Sequence, residues 1–496
     1  EKTPPRPPMS KLDKIISGFA WFFSFNVFQA VINLLVSVVL ARLMLPSEFG
    51  LVAEVTIFSA VGEVLLNGGM TNSLIRTENP DRADYSTVFF INLAVSLFLY
   101  GLLFFSAPLI AGFFHQPILT PVVRVYMLCL LAFAFSAVQS TRLVRAMRFK
   151  LLTMIHLPSL IASGIVGIVL AYMGWGVWSL VYMYLTRHFL FALQLWIRSG
   201  WTPTWTIDRV KLKHHFSFGY KLLLSTVLDR VYQNIYAVII GRVFLPLQVG
   251  YYSRAYTLVQ VPVQGVSDPL AAVTYPALST MQNDNARLQA SYRKLIQQTL
   301  FVIVPVLTIL IVTAEPLFRV LMTDKWLPAV PYFRILCVAG MLNTVNGYNL
   351  NILLVKGRSD LYLRLSIIEK ALITIGVLSA FSFGIYALLY FQLVSSIVMF
   401  LINSSVGGKL IGYPGQRQVG DVYNIFLVAL LAGAAAWVFN VYLSGQLIGR
   451  WEDMARIGLV GGCFALLFLA ICRALKVQAA VDMKELIIKR LLIKHV

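Results

Sequence analysis

The chain has 496 residues, 58% of them hydrophobic and 12% charged, with a net charge of +20 and a mean hydropathy of +0.77. Soluble domains carry about a quarter charged residues. The composition therefore excludes a soluble enzyme, a disordered chain and a secreted disulfide scaffold, and it predicts an all-α polytopic membrane protein.

Residues 1–15, opening EKTPPRPP, are expected to be disordered. Met9 is a candidate natural start, and no cleavable signal peptide is expected. Beyond them run fourteen apolar stretches: about 18–44, 49–75, 84–113, 119–141, 151–173, 175–197, 216–244, 250–275, 295–322, 328–354, 362–381, 384–407, 422–443 and 454–474. Each meets or exceeds the roughly 20 residues a spanning helix needs. The runs are continuous rather than alternating, which argues against a barrel.

Alternate loops hold the basic residues. They carry Arg142, Arg145, Arg148 and Lys150, then Arg198, Arg209, Lys211 and Lys213, then Arg287, Arg293 and Lys294, then Lys356, Arg358 and Arg364. The tail adds Lys476, Lys484, Lys489, Arg490 and Lys494. The intervening loops, such as 114–120 and 244–250, are almost bare, with Lys325 and Arg450 as exceptions. This asymmetry predicts that both termini are cytoplasmic. It makes anionic membrane lipids, not nucleic acid, the partner of the positive charge.

The chain repeats itself once. Val38-Val39-Leu40-Ala41-Arg42-Leu43-Met44-Leu45-Pro46 matches Val238-Ile239-Ile240-Gly241-Arg242-Val243-Phe244-Leu245-Pro246, and the match continues to Gly50 and Gly250. Pro121 and Arg124 match Pro331 and Arg334, and Gly176-Val177-Trp178 matches Gly384-Ile385-Tyr386. A repeat of six helices, an even number, places both copies in the same sense in the membrane. The expected organisation is an N-terminal lobe at 16–198, a cytoplasmic linker at 199–215, a second six-helix lobe at 216–410, two appended helices at 411–475 and a basic cytoplasmic tail at 476–496. Two pseudo-symmetric lobes flanking a cleft suit a transporter.

Three stretches carry a more specific likeness: SGFAWFF…LARLMLPSEFGLVA at 17–53, DYSTVFFINLAV…PVVRV at 84–125, and GYYSRAYTLVQVPVQ…SYRKL at 250–295 with DKWLPAVP at 324–331. In these the sequence resembles the Wzx-type polysaccharide flippases of the MOP superfamily, in particular the WzxC-like group, across most of residues 9–410. The resemblance implies translocation of an undecaprenyl-diphosphate-linked oligosaccharide across a bacterial inner membrane, for exopolysaccharide or O-antigen assembly. It also implies alternating access, with polysaccharide polymerase machinery as a further partner. One departure is that Phe23-Ser24-Phe25-Asn26 stands where the family pattern leads one to expect ionisable residues.

The repeat also points to a pathway. Asn26, Gln29 and Asn33 share a face of the first helix; Thr226, Asp229 and Gln233 share a face of the seventh at the same offset. Such stripes face a cavity or bond neighbouring helices. Arg230 and Asn234, flanked by Tyr232 and Tyr236, suit a sugar-phosphate ligand, because arginine grips phosphate oxygens as a fork. The alternative is an Asp229–Arg230 structural network or a headgroup contact. Glu54 and Arg254 are equivalent in the repeat and opposite in charge, about 6 Å below the outer surface. They are a candidate gate, or else each pairs within its own lobe. Glu63 is a candidate ion or proton carrier, or a hydrogen-bonding partner of a neighbouring helix.

Cys129, Cys337, Cys463 and Cys472 have no metal-ligand spacing and read as small core hydrophobes. No phosphate-binding glycine loop ending in Lys-Ser/Thr is present, so primary ATP-driven transport is not expected, nor is any cofactor. An ion-coupled exporter of drugs on the same fold and a non-transporting membrane scaffold are the competing functions. The mixed charge of the expected cleft, with arginines on the second lobe, favours an anionic substrate.

Overall fold

A computed structural model describes residues 28–67, 70–446 and 449–483. Asn26, the expected disordered segment 1–15 and most of the basic tail lie outside the described residues. The described chain is helical throughout, and eleven of its helical stretches are long and apolar enough to cross a membrane. The expected first, seventh and eighth spans are not among them. The first is described only over Phe28–Leu43; the seventh carries the polar stripe matched to that of the first, and the eighth carries Arg254.

The chain divides into two compact units, the first ending at Gly250 and the second beginning at Tyr251. In the first unit, α1 (Phe28–Leu43) leads into α2 (Pro46–Asn67). Proline suits the first turn, where no intrahelical N–H partner is lost, and the Glu48 carboxylate accepts from the Leu45 N–H at 2.7 Å. A short α3 (Met70–Arg76) follows, then α4 (Arg82–Phe114). Asp81 and Asp84 form a reciprocal capping box at the start of α4, with both bonds at 2.9 Å. Two of the four orphan N–H groups of that helix end are thus satisfied. At 33 residues α4 is about 50 Å long, so it must tilt or protrude.

The apolar stretch expected at 119–141 is two helices, α5 (Leu119–Tyr126) and α6 (Cys129–Arg145). The backbone between them tightens into i→i−3 bonds, Leu128 N–H to Val125 and Leu130 N–H to Met127. Next come α7 (Phe149–Tyr172), α8 (Val177–Ser199) and α9 (Arg209–Val243). α9 packs on α2, α3 and α4. The core joins Val55 and Leu66 of α2 to Phe114, Tyr126, Leu130, Phe133 and Val181. Tyr126 stacks on Tyr184 with ring centroids 4.5 Å apart.

α10 (Pro246–Ser279) begins at the end of the first unit and continues into the second. There α11 (Asn285–Val312) and α12 (Ala314–Met322) replace the single run expected at 295–322. Pro316 has no N–H to offer the Val312 carbonyl, so the ladder breaks there; that carbonyl accepts from Asn440 Nδ2 instead, at 3.0 Å. A 3₁₀ turn at Asp324–Ala329 buries Trp326 completely and starts α13 (Val330–Val355). α14 (Ser359–Ala380), α15 (Ile385–Leu410), α16 (Gly415–Ser444) and α17 (Arg450–Ala474) complete the unit. α16 and α17 are tied by Arg456, which bonds Asp453 at 3.1 Å and Asn440 Oδ1 at 3.0 Å. The arginines matched by the repeat bond alike: Arg124 Nε donates to the Phe104 carbonyl and Arg334 Nε to the Ile311 carbonyl, each at 3.3 Å. Cys129, Cys337 and Cys472 are buried free thiols and Cys463 is half-buried.

Candidate functional site: charges inside the first unit

Glu63 projects from α2 within electrostatic reach of Arg187 on α8 and Arg230 on α9. Glu63 and Arg230 are exposed and Arg187 half-buried. Charged groups in a spanning helix are too costly to present to lipid, so they line space that water or a ligand fills. Arg230 Nη1 donates to Gln233 Oε1 at 3.0 Å, and the Asn234 amide donates to the Arg230 carbonyl at 2.9 Å. The second of these bonds fixes Asn234 one turn along from Arg230. Beside this set, His188 packs on Tyr184 at 4.4 Å and on Phe133 at 4.7 Å.

Of the residues expected on α9, Tyr232, Asn234 and Asp229 are half-buried and Gln233 is exposed, while Tyr236 is buried. Gln29 and Asn33 are half-buried on α1. Arg187 was not among the expected residues. Its signal was present as one arginine inside an apolar run, but no repeat partner drew attention to it.

Glu54 differs from Glu63. It is fully buried, and neither carboxylate oxygen accepts a hydrogen bond. A Cβ on Gly241 would lie 2.8 Å from Glu54 Cγ, so glycine at 241 is what lets α9 close on this side chain. Arg254 is half-buried on α10 in the second unit, between Tyr252 and Tyr256, whose rings stack at 6.0 Å.

At the basic end of the first unit the expected linker is strapped onto α4. Lys211 pairs with Asp81 and lies 3.3 Å from Asp84. The ammonium and the capping bond hold the Asp81 carboxyl down to about 2, and Asp81 raises the Lys211 amine in return. His215 is fully buried between Asp84, 3.2 Å from Nε2, and Ser73, 2.8 Å from Nδ1. The arrangement has the residue types of a hydrolytic triad, but its serine is buried and the three groups simply lace α3, α4 and α9 together. Among the described residues no group of three or more histidines, cysteines or carboxylates could hold a metal ion.

The described chain is thus all-helical, with charges set inside the apolar runs of α2 and α8 as well as at the helix ends. The solved structures agree in fold. The chain is similar to "Lipid II flippase MurJ, inward closed conformation" with a TM-score of 0.72 and 15% identity, over 92% of this chain and 99% of that one. It is also similar to an inward-facing multidrug resistance MATE family transporter of the MOP superfamily, with a TM-score of 0.60 and 18% identity, over 77% and 95%. The chain thus shares its fold with these two transporters.

The polysaccharide biosynthesis protein family model matches residues 39–331, more than half of the chain, and the chain belongs to that family. Among curated relatives, the teichuronic acid biosynthesis protein TuaB of Bacillus subtilis is 24% identical over 469 residues, 92% of this chain and 95% of that protein. The lipopolysaccharide biosynthesis protein WzxC of Escherichia coli is 21% identical, over 88% of this chain and 90% of that one. The succinoglycan biosynthesis transport protein ExoT of Rhizobium meliloti is 26% identical over 61% of each. The chain is a multi-pass membrane protein of the polysaccharide biosynthesis protein family.

Proposed function

We propose that the chain translocates an undecaprenyl-diphosphate-linked oligosaccharide repeat unit across the bacterial inner membrane. Fourteen spans form two pseudo-symmetric six-helix lobes and two appended helices, with both termini cytoplasmic, and the lobes alternate access to a central cleft. The observation that carries the reading is the Glu63, Arg187 and Arg230 set in the first unit. A diphosphate leaving water needs charge-assisted hydrogen bonds. Two guanidiniums against one carboxylate supply a net positive site for it. Asn234, Gln233, Tyr232 and Tyr236 on the same helix, Asp229 beside them and Gln29 and Asn33 on α1 would serve the sugar, with Arg254 the cation contributed by α10. Membership of the family and the likeness to WzxC and ExoT support the substrate class.

Glu54 and Arg254 are proposed to pair as an outer gate. The Glu54 carboxylate accepts no hydrogen bond here, so that pairing is assigned to another step of the cycle. Glu63 is the proposed ion-coupling carboxylate. The MATE-like fold keeps a second reading open, an ion-coupled exporter of small molecules. That reading predicts an acidic or apolar site, which two arginines disfavour. The deciding experiment is deletion of the gene with measurement of lipid-linked repeat units on each leaflet. Accumulation in the inner leaflet supports the flippase. Unchanged repeat units together with gained drug sensitivity would select the exporter.

A further inference from the structure

We propose that a cavity at the basic end of the first unit binds the phosphate of an anionic membrane lipid, through Arg142 and Arg148. The cavity is about 330 Å³ and lies where α4 begins and α6 and α8 end, lined by Tyr85, Arg142, Arg145, Arg148 and Ser199. It is separate from the Glu63, Arg187 and Arg230 set, and the inference stands whatever solute the protein carries.

The three arginines do different things. Arg145 is committed to the fold: it donates to the carbonyls of Leu74 at 2.9 Å, Thr77 at 2.5 Å and Glu78, closing the end of α3. Arg142 is held by aromatic faces, 5.4 Å over the Trp201 ring and 5.6 Å over Tyr85. Besides the Tyr85 phenol, the groups acting electrostatically on its guanidinium are Arg148 and Arg82, both of the same sign. Arg82 spends its Nη2 on the Thr202 carbonyl and hydroxyl, at 3.1 and 3.2 Å. The nearby carboxylates Asp81 and Asp84 are engaged by Lys211 and His215. Arginines brought this close repel one another, and guanidinium forks match phosphate oxygens, so an anion bound between them is favoured.

The aromatic residues near the cavity favour a lipid over free phosphate. Around it stand Tyr85, Trp196, Trp201 and Trp205. Trp205 is 93% exposed yet stacked on Phe90 at 5.1 Å, and Ile207 and Val210 beside it are exposed as well. Amphipathic rings and bare aliphatics of this kind sit at the headgroup level of a bilayer. Basic pockets between helix ends at that level take lipid headgroups.

The test uses the purified, delipidated full chain in neutral detergent. It is titrated with phosphatidylglycerol, phosphatidylcholine, undecaprenyl phosphate or inorganic phosphate, and read by native mass spectrometry and thermal midpoint. Phosphatidylglycerol should bind at least tenfold more tightly than phosphatidylcholine. R142Q and R148Q should each weaken that binding about tenfold, the loss expected for one charge-assisted bond, while R417Q in α16 leaves it unchanged. R148Q removes an exposed side chain and keeps the test valid if loss of the aromatic stack unfolds R142Q. Undecaprenyl phosphate competing with phosphatidylglycerol would assign the site to any lipid phosphate; failure to compete would restrict it to the bulk anionic lipid. Equal binding of the two phospholipids, full competition by inorganic phosphate at the lipid's own concentration, or wild-type binding by R148Q would overturn the proposal.

Discussion

Gly50 and Gly250, equivalent positions in the repeat, each press bare backbone against the other's hairpin. A Cβ on Gly50 would overlap the Pro246 carbonyl oxygen, and a Cβ on Gly250 would overlap that of Pro46. The two Leu-Pro turns that start α2 and α10 therefore nest back to back within the first unit. Backbone cannot swing aside as a side-chain tip can, so alanine at either position forces the hairpins apart. Overpacking of this kind costs about 1–3 kcal/mol. Gly50→Ala and Gly250→Ala should each lower the thermal midpoint of the purified protein. The double variant should cost less than the sum of the two, because one separation relieves both overlaps. Strictly additive losses would show that the contacts are independent.

Glu54 is a buried carboxylate whose oxygens accept no hydrogen bond. Glu54→Met keeps the volume and removes a buried polar group that has no partner, so it should be neutral or stabilising for folding by about 1–3 kcal/mol. Glu54→Arg and Arg254→Glu should each abolish export, and the double reversal should restore it if the two residues form the proposed gate. A double variant that inserts normally but stays inactive would return each residue to contacts of its own.

The cations of the proposed diphosphate site are tested by export normalised to membrane protein level. Arg187→Ala, Arg230→Ala and Arg254→Ala should each lose a charge-assisted bond of about 1.5–3 kcal/mol, roughly tenfold to hundredfold in affinity. The lysine variants should keep partial function, since charge survives and the planar fork does not. Wild-type export by all three alanine variants would remove the diphosphate from this site.

The Asp81–Lys211 pair gives a signed pH effect. The folded-state carboxyl of Asp81 is held near 2, below its usual value of about 3.9. Its contribution to stability is therefore present above about pH 4 and disappears as pH falls through 2. Asp81 is 60% exposed in its side chain, so screening keeps the effect at or below about 1 kcal/mol. Asp81→Asn retains the helix cap but loses the ion pair. Hydrogen exchange in the first turn of α4, divided by its intrinsic rate at each pH, should show protection falling between pH 4 and 2 in the wild type and varying much less in the variant.

Orientation is accessible to labelling in a background lacking the four native cysteines. Leu245→Cys, at a position 66% exposed, should react with an impermeant thiol reagent from the periplasm. Asn283→Cys, also exposed, should react only after the membrane is opened. The reverse pattern would invert the proposed topology.

Much of the architecture was legible in the sequence because spanning helices are dictated by local hydropathy. A continuous apolar run in a bilayer has no alternative that satisfies its backbone. The collinear repeat likewise led to Arg124 and Arg334, which make matching bonds. Glu63 and Arg230 stood out because a charge inside an apolar run is conspicuous in one dimension. What only the tertiary structure decided depends on which helices touch. The breaks at Met127 and Thr313 needed the neighbouring bonds to show them, above all Asn440 taking the carbonyl that Pro316 leaves unpaired. Arg187 became part of a set only once α8 was placed beside α2 and α9. Arg142, Arg145 and Arg148 looked alike as loop charges. Packing put all three on one cavity and made only the second a fold-closing donor to α3, because hydrogen-bond geometry is set by distances that sequence spacing across separate helices does not encode.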